Sequence, residues 1–114
     1  SIQFSGRYLS YYKKWEPEKN VEIAKKHTGY KTNPDGRIEG TYTDFASLDD
    51  KTDGFHYYMA FIKFGIGRAT ADACHQIRDG IISRDEGVDL VHEYDHEFPS
   101  KYLDGLLQFS EDTI

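Results

Sequence analysis

Glycine and proline divide this chain into short stretches, and that punctuation limits what it can fold into. Pro17 stands at the head of one apolar-periodic segment and Gly29 closes it. Gly65-Ile66-Gly67 interrupts the next, Asp79-Gly80 ends a third, and Pro99 stops a fourth. Proline fits a first helical turn because its missing N–H has no partner to lose there, and glycine takes the left-handed conformation that closes a helix. The spacing therefore predicts helices of a few turns each.

Within these bounds the periodicity is helical. The first helix is expected from Glu18 to Lys26 behind Pro17. A second is expected from about Asp49 to Phe64, with Phe55, Tyr58, Met59 and Ile62 on one apolar stripe. The third begins near Ala69 and ends at Gly80. Ser83-Arg84-Asp85-Glu86 reads as a capping box opening a fourth, which carries Val88, Val91 and Tyr94. Ser100 is placed to cap a fifth, carrying Leu103, Leu106 and Leu107. Between the first two, Asn33-Pro34-Asp35-Gly36 is a turn signal, giving a loop or a weak hairpin of Tyr30–Thr32 against Arg37–Glu39. The fold class expected is all-α: about five short helices in a small orthogonal or antiparallel bundle, one domain over residues 1–114.

With 114 residues there is room for one domain, and 15% aromatic content supplies a core. The formal charge of −6 makes nucleic acid and anionic membrane surfaces poor partners, since both are bound through cationic groups. No apolar run is long enough to cross a bilayer. One cysteine, Cys74, cannot form an internal disulfide, which points to a reducing, cytoplasmic setting. The chain opens Ser-Ile-Gln without methionine, which suggests a piece of a longer protein.

Several segments invite a chemical reading. His92-Glu93-Tyr94-Asp95-His96 fits H-E-x-x-H, in which His92 and His96 would hold zinc and Glu93 would act as base. Against it, Asp95 and Glu97 flank the second histidine, Pro99 follows closely, and the third ligand would have to be Glu111 or Asp112. A solvated helix end is the reading these residues favour, and a minimal zinc hydrolase is the remote one.

Lys63, Gly65, Gly67, Arg68 and Thr70 form the other candidate site. Two glycines leading into a helix start offer free N–H groups, and Lys63 and Arg68 add positive charge, as phosphate binding requires. The alternative is a tight helix–helix corner in which Arg68 pairs with Asp72 one turn on. The string has neither the third glycine of a dinucleotide fingerprint nor the Gly-Lys-Ser/Thr of a P-loop. Asp49, Asp50 and Asp53 crowd a helix start, where the helix dipole favours them. Cys74 reads as buried filler. Tyr8, Tyr11, Tyr12 and Trp15 belong to a core or to an interface.

Three strings carry a resemblance: DFASLDDKTDGFHYY (residues 44–58), FIKFGIGRAT (61–70), and the series Ile77-Arg78-Asp79-Gly80, Ser83 to Gly87, Tyr94-Asp95 and Glu97-Phe98-Pro99. In this order they resemble the C-terminal region of the N-acetyl sugar amidotransferases of lipopolysaccharide O-antigen biosynthesis, which belong to the PP-loop ATP pyrophosphatase superfamily. His96 departs from the pattern, where glycine is expected. The resemblance implies a parent enzyme that uses ATP and magnesium to adenylate the carbonyl oxygen of an N-acetyl group on a nucleotide-linked sugar. Ammonia from a glutaminase subunit would then displace AMP, because an amide oxygen leaves only once it is made a phosphoester. The family's Ser-Gly-Gly-Lys-Asp-Ser loop is absent from these residues. The chain is thus expected to be a helical C-terminal domain without its PP-loop domain or any cofactor of its own, inactive alone. It would assist sugar-nucleotide binding through Lys63–Thr70 or serve domain packing; a pure interaction or homodimerisation domain that docks the glutaminase is the alternative. The aromatic N-terminal segment and the Lys31–Tyr42 loop would then be its surface.

Overall fold

A computed structural model describes residues 3–111, with side chains described to residue 108. Two compact units divide the chain, one up to Lys31 and one from Thr32 onward. The first contains a single 3-10 turn, Leu9–Tyr11, and helix α1, Pro17–Thr28. Pro17 occupies the first turn of α1, and Gly29 closes it with φ of 72°. Phe4, Tyr8, Tyr11, Tyr12 and Trp15 are all exposed.

The second unit holds α2 (Asp53–Phe64), α3 (Arg68–Asp79), α4 (Arg84–Tyr94) and α5 (Leu103–Glu111). The all-α expectation holds: five α-helices and no strand are present among the described residues. Helix α2 begins later than the sequence predicts. Asp50 turns its carboxylate onto the N–H and hydroxyl of Thr52, at 2.8 and 2.7 Å, and this local turn replaces the first helical turn. Gly65 (φ 70°) closes α2, and Gly80 (φ 72°) closes α3. The capping box of α4 forms in both directions between Ser83 and Glu86.

The weak hairpin does not form. Asn33 and Gly36 make the expected turn, with the Gly36 N–H donating to Asn33 O at 3.0 Å. The Asn33 N–H, however, goes to Asp44 O at 2.9 Å, so the chain entering the turn bonds a later segment and not Arg37–Glu39. Residues 37–43 are also not a surface loop. Ile38 is 4% exposed and Thr41 fully buried. The Thr41 and Thr43 hydroxyls bond each other at 3.1 Å, and the Ala69 N–H donates to Gly40 O at 3.1 Å. An irregular segment can lie this deep only because its polar groups find partners there.

Helices α3 and α4 pack through small residues. Ala69 and Ala73 of α3 are buried, as is Gly87 of α4. A Cβ on Gly87 would meet Ile77 Cδ1 at 2.6 Å and Ala73 Cβ at 3.6 Å, so the Ile77 side chain would have to turn aside to admit one. Near the start of α2, Gly54 lies against Pro99, and the Tyr58 ring meets Phe98 edge-on at 5.3 Å. No helix is long and apolar enough to cross a membrane among the described residues.

Candidate functional site

The corner between α2 and α3 is where the sequence gathers Lys63, Gly65, Gly67, Arg68 and Thr70. The Gly65 N–H donates to Phe61 O at 2.7 Å as the helix cap, and Gly67 is the extended residue just before α3. The N–H groups expected to await a phosphate are engaged. Asp95, one residue beyond α4 and 3% exposed, accepts the Gly67 N–H at 3.0 Å and the Thr70 N–H at 3.1 Å. It also accepts a hydrogen bond from the Thr70 hydroxyl. A carboxylate at a helix N-terminus satisfies orphan donors and meets the positive end of the helix dipole. The corner thus carries its own anion, and that carboxylate ties the start of α3 to the end of α4.

The two cations at the corner behave differently. Arg68 donates through Nε to both oxygens of Asp72 at 3.0 Å, and its guanidinium lies 5.7 Å from the Tyr57 ring centre. Burial works against its charge, but the Asp72 hydrogen bond and charge, with Tyr57 adding, hold its pKa above the ordinary arginine value. Lys63 is exposed, and its ammonium lies 5.0 Å from the Phe64 ring centre. No carboxylate pairs with it among the described residues.

A second polar cluster lies where residues 37–43 meet residues 94–101. Arg37 holds Glu97 in a two-pronged ion pair, at 2.6 and 2.8 Å, and also reaches Thr41 O at 3.3 Å. Its guanidinium lies 4.6 Å from the Tyr94 ring centre. Glu97 also accepts the Gly40 N–H at 3.1 Å. Burial alone would raise the Glu97 pKa. The bonds from Arg37 and Gly40 and the charges of Arg37 and His96 win, and its carboxyl lies below the ordinary glutamate value. Glu39 accepts from the Ser100 hydroxyl at 3.2 Å and the Lys101 N–H at 2.9 Å. Every carboxylate in this cluster is committed to holding a loop or a helix start.

The H-E-x-x-H residues do not share one helix. Helix α4 ends at Tyr94, so His92 and Glu93 lie on it and His96 beyond it. His96 therefore sits one residue past the C-cap Asp95, outside the last helical turn. Among the described residues no group of three His, Cys, Asp or Glu side chains gathers to hold a metal. The side chain of Glu111 and the whole of Asp112 lie outside the described residues. Cys74 is exposed, contrary to its reading as filler; the adjacent Ala73 takes the buried position on α3. Asp53 accepts a hydrogen bond from Ser47, so two of the three carboxylates at the start of α2, Asp50 and Asp53, are spent on turn geometry. A cavity of about 500 Å³ in the first unit is lined by Gly6, Arg7, Tyr8, Ser10 and Tyr11, and by none of the corner residues.

Sequence reasoning missed Asp95, Arg37 and Glu97. All three act on groups 25 to 60 residues away, and no local pattern announces such a bond. The one available signal was an aspartate directly after a helix whose partner helix begins with glycine.

A family model described as LPS biosynthesis protein WbpG-like, C-terminal domain, matches residues 39–113. Among curated proteins none matches the chain.

Proposed function

The chain belongs to the WbpG-like C-terminal domain family of lipopolysaccharide biosynthesis proteins, and from that premise we propose that it is the helical packing domain of an ATP-dependent N-acetyl sugar amidotransferase. Its role in that enzyme is to present a rigid helical surface to the PP-loop domain or to the glutaminase subunit. The adenylation step belongs to the PP-loop domain, and ammonia comes from the glutaminase.

One observation carries the choice of packing over substrate contact: Asp95 fills the anion position at the start of α3. A phosphate would have to displace a buried carboxylate that already accepts three hydrogen bonds. Two of those donors are the N–H groups the phosphate itself would need.

A second reading keeps a substrate contact at Lys63, Gly65, Gly67, Arg68 and Thr70. In its favour, Lys63 is exposed and without a carboxylate partner among the described residues. Kinetics on the full-length enzyme separate the two. Under the packing reading, Arg68→Ala combined with Lys63→Ala leaves the Michaelis constant for sugar nucleotide unchanged and lowers thermal stability. A several-fold rise in that constant with stability retained would transfer the role to substrate binding.

A further inference from the structure

Residues 1–15 carry Arg7, Lys13 and Lys14 and no Asp or Glu, in a chain with 20 acidic against 14 basic residues. The 3-10 turn arranges the aromatic residues of this stretch. The Tyr11 N–H donates to Tyr8 O at 3.0 Å, and the N–H groups of Tyr12 and Lys13 donate to Leu9 O at 2.9 and 3.0 Å. Side chains at i and i+3 of a 3-10 turn eclipse, which brings Tyr8 and Tyr11 to one side. With Gly6, Arg7 and Ser10 they line the cavity of about 500 Å³. Tyr12 meets Tyr11 edge-on, ring centres 5.2 Å apart, and braces it. The Tyr8 and Tyr11 rings are 85 and 77% exposed, so their faces are open to a ligand. Lys14 has Glu16 at 3.7 Å, whereas no carboxylate pairs with Arg7 among the described residues. A Cβ on Gly6 would meet nothing within 4 Å, which leaves that wall open.

We propose that this cavity binds a nucleotide, with the base stacked on the tyrosine rings and the phosphates on Arg7. Its volume is that of a small-molecule site. Tyrosine faces take a flat base whatever its identity, and a guanidinium grips phosphate with two parallel hydrogen bonds. The Ser10 hydroxyl adds a polar group to the same wall. Other occupants use less of what is there. A bare phosphate would leave both rings idle. A bilayer is met by a broad apolar face, whereas this surface is concave and carries a guanidinium and hydroxyls. A protein partner covers about 800 Å² per side, far more than the concavity made by residues 6–11. The site is independent of the packing role, since none of its residues belongs to the corner between α2 and α3.

The test is isothermal titration calorimetry of the whole 114-residue chain with UDP, ADP, uridine and pyrophosphate. The expected result is binding of UDP or ADP more tightly than of uridine or pyrophosphate, because base and phosphates each contribute. The preference between UDP and ADP then tells a pyrimidine nucleotide from an adenine nucleotide as the source. Arg7→Ala, and Tyr8→Ala combined with Tyr11→Ala, should each weaken binding at least about fivefold, with Arg7→Lys falling between wild type and Arg7→Ala. Lys63→Ala at the corner and Ile23→Ser on α1 should leave the affinity unchanged. All the substituted side chains are exposed, so the fold should survive, and far-ultraviolet circular dichroism checks that it does. Binding of neither nucleotide, pyrophosphate held as tightly as ADP, or an affinity indifferent to the Arg7 and tyrosine variants would overturn the proposal. So would binding abolished by Lys63→Ala, which would move the site to the corner.

Discussion

Asp95 accepts the N–H of Thr70 at 3.1 Å together with a bond from the Thr70 hydroxyl, although 25 residues separate the two in sequence. One buried carboxylate therefore caps α3 from the far end of α4. Asp95→Ala leaves two N–H groups and a hydroxyl without their acceptor and should cost about 2–4 kcal/mol. Asp95→Asn keeps one acceptor oxygen and should cost less. Urea unfolding followed by circular dichroism checks the order, and an alanine variant as stable as the wild type would refute the capping role.

Gly67 is required by proximity and not by backbone angle. Its φ of −100° suits any residue, but a Cβ there would meet Asp95 Oδ1 at 2.5 Å and Cγ at 2.8 Å. Gly67→Ala should destabilise by about 1–3 kcal/mol, as overpacking does. In an Asp95→Ala background the same change should cost close to nothing, because the clashing atoms are gone. A double-mutant cycle reads that coupling directly, and additive costs would count against it.

Acid should loosen the join between residues 37–43 and Glu97. The Glu97 carboxyl has a folded-state pKa below its unfolded value, so its contribution is present above the unfolded pKa and is lost as pH falls through the folded one. Stability should therefore decline below about pH 4.5, the ordinary glutamate value. Glu97→Gln should be less stable at neutral pH and show a flatter acid limb. Thermal melts from pH 7 down to pH 3 compare the slopes; identical slopes would remove Glu97 as a contributor.

The outer face of α2 and the inner face of α3 should respond in opposite ways to substitution. Ile62→Ser, at a position 59% exposed, should shift stability of the isolated chain by no more than about 0.5 kcal/mol. Ala73→Leu, at a position 1% exposed beside Gly87, should cost about 1–3 kcal/mol by overpacking. Denaturant midpoints decide. A large loss for Ile62→Ser would mean that α2 packs on this side after all.

Features with a local cause were legible in the sequence. Gly65 and Gly80 close helices where expected, and the Ser83–Glu86 box forms, since each depends on residues within one turn. Non-local features were not. Residues 37–43 look like a loop because they lack periodicity, yet Thr41 is fully buried, and its neighbours Gly40 and Arg37 bond to Ala69 and Glu97 far along the chain. The stripe Phe55, Met59, Ile62 was visible as apolar, but periodicity tells which residues share a face and not what covers it. The N–H groups at Gly67 and Thr70 were read as open because their acceptor, Asp95, comes from another helix end.

The clasp between Arg37 and Glu97 joins residues 60 positions apart. On a ribosome, residues 37–43 are made early; Ala69 can reach Gly40 first, but the Arg37–Glu97 clasp must wait for the turn after α4. Chain growth thus leaves Arg37 and the Gly40 N–H without their carboxylate until residue 97 has emerged, while α3 and α4 need only each other to pair. Closure of so long a span is entropically unfavourable until both sides are in place, so the order of assembly runs from the middle of the chain outward. A polypeptide halted before Glu97 would hold formed helices with the 37–43 segment unclasped, a state exposed to misassembly.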